Sequence, residues 1–199
     1  MTIGGKSLFS TNLNLTGGDS LSASANSNTV VLEKDKNWFT GQIYYRGILP
    51  GDAPTTSITV ALTRPNDTDA PNSVMSIPYS PDLTAPINTQ VFTQSENFTI
   101  NWDNNNSTLP VTLEFNFRCT LEAGTSAFGV EKSSIANTGS ISYSISSLLG
   151  SNLTLKNSET CSTKITISRE KAGTLDPNYG EGGTITAKQH RSVTVTVNP

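Results

Sequence analysis

The chain has 199 residues, 34% of them hydrophobic and only 15% charged, with a formal net charge of −3. Its length suits one large β domain or two small ones, and its Lys and Arg form no basic run, which argues against nucleic-acid binding through phosphate neutralisation. No apolar run is long enough for a membrane-spanning helix, and residues 1–6 lack the apolar core of a signal peptide.

Ser, Thr and Asn are abundant where charge is scarce, a composition that suits strands with hydroxylated outer faces and polar turns. Residues 1–10 read as a loose arm. Residues 12–16 alternate and stop at Gly17-Gly18-Asp19, a turn signal. Short strands are expected over 21–25 and 29–33, and the polar stretch 33–37 reads as a turn. It leads into 38–46, the most aromatic run, with Trp38, Gln42 and Tyr44 on one face and Phe39, Gly41, Ile43 and Tyr45 on the other. The second set is the expected core face, which leaves Trp38 and Tyr44 either as an outward aromatic strip or on the second face of a sheet buried on both sides. Residues 57–63 alternate with Ile58, Val60 and Leu62 on one face, 64–72 form a loop, and 74–79 a last short strand. The Pro-flanked segment 80–86 reads as a linker or crossover, because proline removes ladder donors. It divides an N-terminal β domain, 1–82, from a second domain, 88–199.

The second half alternates more clearly. After a strand at 89–93, Phe98, Ile100 and Trp102 share one face, as do Val111, Leu113, Phe115, Phe117 and Cys119. Glu114 falls on the opposite face. Residues 122–136 are ambiguous, with a short strand at 127–131. Ile141, Tyr143 and Ile145 alternate, and Leu148-Leu149-Gly150 is an apolar-tipped loop. Cys161, Thr163, Ile165 and Ile167 share a face, so both cysteines point into the apolar layer. A long loop, 171–183, precedes an extended 184–187 and a closing strand at 192–197. No stretch has sustained 3.6-residue periodicity with caps, so almost no helix is expected. The fold class is all-β, as two β-sandwich halves.

The spacing of Phe98-Thr99-Ile100-Asn101-Trp102, the alternating run to Cys119, Leu149-Gly150, the long strand over 163–168 and Val193 to Val197 resembles a fibronectin type III or related immunoglobulin-like module. The resemblance covers 88–199. Cys161 departs from it, standing near where that family usually has Tyr. It implies a seven-strand Greek key. It also implies that the strand ending at Cys119 and the strand starting at Cys161 are antiparallel neighbours, which brings the two sulfurs together. Two cysteines allow one pairing. The readings are a disulfide, contributing about 4 kcal/mol in the chain-entropy model, or two buried thiols acting as small hydrophobes. The surface-like composition favours the disulfide.

No constellation carries catalysis. His190, beside Lys188 and Arg191, reads as an exposed strand-end residue, since no nucleophile motif accompanies it. The carboxylates Asp103, Glu114, Glu122, Asp176 and Glu181 read as solvated charge, not a glycosidase pair. Residues 176–181 offer oxygen ligands and glycine but do not match the EF-hand pattern, so no metal and no cofactor is expected. Trp102 reads as core by its phase with Phe98. Within 171–183, Asp176, Tyr179 and Glu181 are candidate contact residues, with glycines that let the backbone approach a partner. The expected protein is non-enzymatic: structural or adhesive, extracellular, on a cell surface or a virion. It would engage neighbouring proteins or a glycan, and it has scope to self-associate. The competing class is an accessory carbohydrate-binding module using Trp38 and Tyr44.

Overall fold

A computed structural model describes residues 14–36, 38, 41, 43–50, 53–150, 153–179 and 183–199. The fold is all-β with almost no helix. The chain groups into two compact units. Unit 1 takes Met1–Pro78 and Lys171–Ala187, and unit 2 takes Tyr79–Glu170 and Lys188–Pro199. The segment expected as the second half's long loop therefore belongs to unit 1.

Unit 1 holds β1 (Ser20–Ala25), β2 (Asn28–Val31), β3 (Glu33–Lys36), β4 (Ile43–Arg46), β5 (Ser57–Thr63) and β6 (Ala70–Ser76). One sheet runs β2-β1-β5-β6, and β3 and β4 form a separate antiparallel pair. Alternation makes β1: Leu21, Ala23 and Ala25 are buried and the serines between them are not. Asn26 and Ser27, both at positive φ, close the β1–β2 hairpin as a two-residue turn whose twist matches the flanking strands. Leu21, Leu32, Tyr45, Val60, Leu62 and Ile185 make the core.

The reading of 33–37 as a turn is corrected here, because β3 occupies Glu33–Lys36. Charged residues have low strand propensity. Here the pairing supplies what propensity lacks: Asp35 lies directly opposite Tyr44 and bonds Arg46 at 3.0 Å. Among the described residues of the aromatic run Ile43–Arg46 is strand, and Tyr45 is buried as expected. Phe39 and Gln42 lie outside the described residues.

Unit 2 holds β7 (Leu83–Ala85), β8 (Val91–Thr93), β9 (Asn97–Trp102), β10 (Val111–Leu121), β11 (Gly124–Ile135), β12 (Ser140–Ser144) and a one-turn helix α1 (Ile145–Leu149). The strands β13 (Thr160–Ala172) and β14 (Thr186–Asn198) complete its sheets, each with two residues grouped with unit 1. A five-stranded sheet runs β11-β10-β13-β14-β8, and a three-stranded sheet runs β12-β9-β7. Both contribute to one core that includes Phe98, Ile100, Trp102, Phe115, Phe117, Ile165 and Val197. This is a multi-sheet all-β arrangement consistent with a β-sandwich. Within 88–199 the described residues form seven strands, β8 to β14, the number expected there; β7 precedes them, and β8 runs parallel to β14.

Cys119 stands directly opposite Cys161 on the antiparallel pair β10 and β13, and the two form a disulfide, both fully buried. The short strand expected at 127–131 is a 12-residue strand. Its Ser- and Gly-containing sequence alternates weakly, and it is the ladder with β10 that extends it. The loop expected at Leu148 and Leu149 is the end of α1, whose N-cap Ser144 accepts a hydrogen bond from the Ser147 N–H.

Candidate interaction surface

The β3–β4 pair sets the outward residues of unit 1. Trp38, in the connection between them, is 90% exposed. Tyr44 is half-buried, and its phenol hydrogen-bonds the Asp35 carboxylate. Asp35 is held below its ordinary value, first by the Lys36 N–H, then by the Tyr44 phenol, with Arg46 adding to both. The same bond raises Tyr44. Its hydroxyl is thus committed to a neighbour, and only part of the ring is open to a ligand.

Sequence reasoning missed a groove in the same unit. It encloses about 490 Å3 and is lined by Val30, Val31, Glu33, Arg46, Gly47 and Ile48. Val31 is 67% and Ile48 91% exposed, unusual for apolar side chains that share one concavity. Gly47 packs closely against the β2 end of the groove. A Cβ there would lie 2.7 Å from Leu32 Cδ2 and 3.2 Å from Val30 Cγ2, so a larger residue would push these two side chains aside. The available signal was Val31, which takes the outward parity in a Val-Val-Leu run.

The candidates of 171–183 fall otherwise. Asp176 is 4% exposed, and its carboxylate accepts from the N–H of Asn72 at 2.8 Å and of Asn178 at 2.9 Å. It caps the 3-10 turn at Pro177–Tyr179 and ties it to the start of β6. Tyr179 packs against the unit 1 core, and burial pushes its phenol up to about 12. Its hydroxyl is buried and has no hydrogen-bond partner among the described residues. Both side chains are engaged by the fold, and Pro177 and Asn178 are the exposed residues of the turn. Glu181 lies outside the described residues. Gly173, expected to face a partner, faces the protein's own β6, where a Cβ would run into the Val74 carbonyl.

No family model matches this chain, and a search of curated proteins finds no match.

In unit 2, Trp102 is 4% exposed, as expected of a core residue, and its Nε1–H donates to Asn137 Oδ1 at 2.7 Å. The same oxygen accepts from Arg169 at 2.9 Å, and Arg169 also donates to the Tyr79 carbonyl at 2.8 Å. Arg169 is fully buried. Desolvation lowers its pKa, and Asp103 partly opposes this. Its parity with Cys161 and Ile167 was the signal for that burial. The network holds the Trp102 end of the core in place and offers no open site. His190 is exposed, and Glu114 is half-buried with Lys188 Nζ 3.8 Å away. Among the described residues no group of three or more His, Cys, Asp or Glu is placed to hold a metal ion. Likewise no described helix is long and apolar enough to cross a membrane.

Proposed function

We propose that this is a non-catalytic structural or adhesive protein of a cell surface or virion, acting through contacts with a neighbouring protein. Unit 2 serves as its fibronectin type III-like module. The observation that carries the reading is the groove beside β2. Three apolar side chains line it, with one acid and one guanidinium at its rim, a mixture that suits a protein chain better than a sugar ring. The buried disulfide supports an oxidising location. Strand order supports the module. β10, β13 and β14 lie side by side, as the third and the last two strands of an immunoglobulin-like key do, and β12, β9 and β7 share the other sheet.

The test is adhesion of beads coated with the protein to a panel of immobilised purified surface proteins and polysaccharides. Val31→Asp with Ile48→Asp should abolish retention on protein surfaces while leaving the thermal transition in place, because both side chains are exposed. Equal retention by parent and variant would remove the groove from the mechanism. A second reading, an accessory carbohydrate-binding module, draws on the exposed indole of Trp38. Binding to a polysaccharide that is lost in Trp38→Ala, with the groove variant unaffected, would favour it.

A further inference from the structure

The sheets of unit 2 have four edges. β7 and β8 have three residues each, β12 has five, and β11 has 12. Short edge strands are self-protecting, whereas a long one presents a row of unpaired N–H and C=O groups. β11 pairs with β10 and with no other described strand. Its register on β10 is unbroken from Gly124 to Lys132, and the irregularity comes after that, between Lys132 and Ile135. No proline interrupts it.

We propose that two copies of this chain pair antiparallel through β11 about a two-fold axis at Gly129, joining their five-stranded sheets into one. The sequence around Gly129 is self-complementary in that register. Phe128 of each copy faces Val130 of the other, an aromatic and β-branched pair of the kind that stabilises antiparallel strands. Both are half-buried in the single chain, where Phe128 stacks on Phe117 at 5.0 Å. Ser126 faces Lys132, and Ala127 faces Glu131. Gly129 meets its own copy, and no like charges are opposed. Residues paired in this way have equal parity, so each copy's core-facing side chains stay on the same side of the joined sheet.

Charge favours the same register. Within one chain Glu131 lies directly opposite Glu114, and Ala127 lies opposite Arg118. Like charges facing each other across a ladder are destabilising. Pairing at Gly129 sets Ala127 and then Arg118 of the second copy in the row that begins with Glu114 and Glu131. A small side chain thus separates the acids from a guanidinium. The seven residues from Ser126 to Lys132 give a ladder of about 24 Å. The proposal concerns unit 2 alone and stands whether or not the groove of unit 1 binds anything.

The test uses introduced cysteines, since both native cysteines are in the disulfide. Facing residues of an antiparallel pair have Cα atoms about 4.5–5.5 Å apart, within disulfide reach. Gly129→Cys should crosslink to itself in oxidised glutathione, giving a covalent dimer on a non-reducing gel. Thr125→Cys should not. A Cβ at Gly129 would approach Asn116 Oδ1 to 3.1 Å, so a second experiment does not depend on the Gly129→Cys variant folding. A mixture of Ala127→Cys and Glu131→Cys chains should give far more covalent dimer than either variant alone. Light scattering of the parent should show a mass that rises toward twice the monomer with concentration. A parent that stays monomeric at the highest concentration it reaches would overturn the proposal. So would a mixture that crosslinks no better than its components, or Thr125→Cys crosslinking as well as Gly129→Cys.

Discussion

Reducing the Cys119–Cys161 bond is the most informative perturbation. The bond closes a loop of 42 residues within unit 2. In the chain-entropy model such a loop removes about 4 kcal/mol of conformational freedom from the unfolded chain at 25 °C. Replacing both cysteines by alanine also removes two buried sulfur atoms, adding about 1 kcal/mol each through lost contacts. The two tryptophans allow unit 2 to be followed by itself: Trp38 lies in unit 1, and Trp102 lies in the unit 2 core. In a Trp38→Phe background the fluorescence of Trp102 reports unit 2 during a guanidinium titration. With a reductant present throughout, the extrapolated stability should fall by about 4 kcal/mol, and the slope should rise because the freed chain exposes more surface when unfolded. For a unit of this size the loss lowers the thermal midpoint by about 4–8 °C per kcal/mol. A loss below about 1 kcal/mol, with an unchanged slope, would refute the reasoning. It would mean that the ladder holds the two strands together in the unfolded ensemble without the bond.

Three further outcomes follow from single side chains. Arg169→Met should destabilise unit 2 by about 2–4 kcal/mol, as lost charged hydrogen bonds outweigh the relief of desolvation, and Arg169→Lys should recover only part of this, because one ammonium cannot reach both Tyr79 O and Asn137 Oδ1; the Trp102 titration reads both. Gly173→Ala should cost about 1–3 kcal/mol, since the obstruction is backbone and cannot turn aside, and hydrogen exchange at the Val74 and Thr174 amides, which each donate to the other residue's carbonyl at 2.8 Å, should accelerate. Tyr179→Phe should be neutral or stabilising by up to about 1 kcal/mol, because its buried hydroxyl has no partner among the described residues. The folded phenol titrates at about 12, above the unfolded value, so the folded state binds the extra proton between the two values. Parent stability should therefore fall as pH rises from about 10 toward 12, and the Phe variant should lack that part of the fall, read from thermal midpoints at alkaline pH.

Where apolar residues recur every second position, the sequence by itself determined the structure. Phe98 to Trp102, Val111 to Cys119 and Cys161 to Ile167 declare their buried faces because burial of alternate side chains is a local property of a strand. The same parity aimed both cysteines inward, and the want of helical periodicity left almost no helix to expect; the described residues hold one short α-helix and one 3-10 turn. Pairing is not local, and only the tertiary structure decided what depends on it. Glu33–Lys36 becomes a strand through Tyr44 and Arg46 opposite, and Gly124–Ile135 becomes the longest edge of unit 2 through the β10 ladder. Asp176 is exposed by the rule for acids and buried in fact, because the N–H groups of Asn72 and Asn178 converge on it from segments about a hundred residues apart. The groove beside β2 had no signature of its own. It brings Arg46, Gly47 and Ile48 beside Val30 and Val31, 16 or so residues earlier, a tertiary relation that local side-chain alternation does not record.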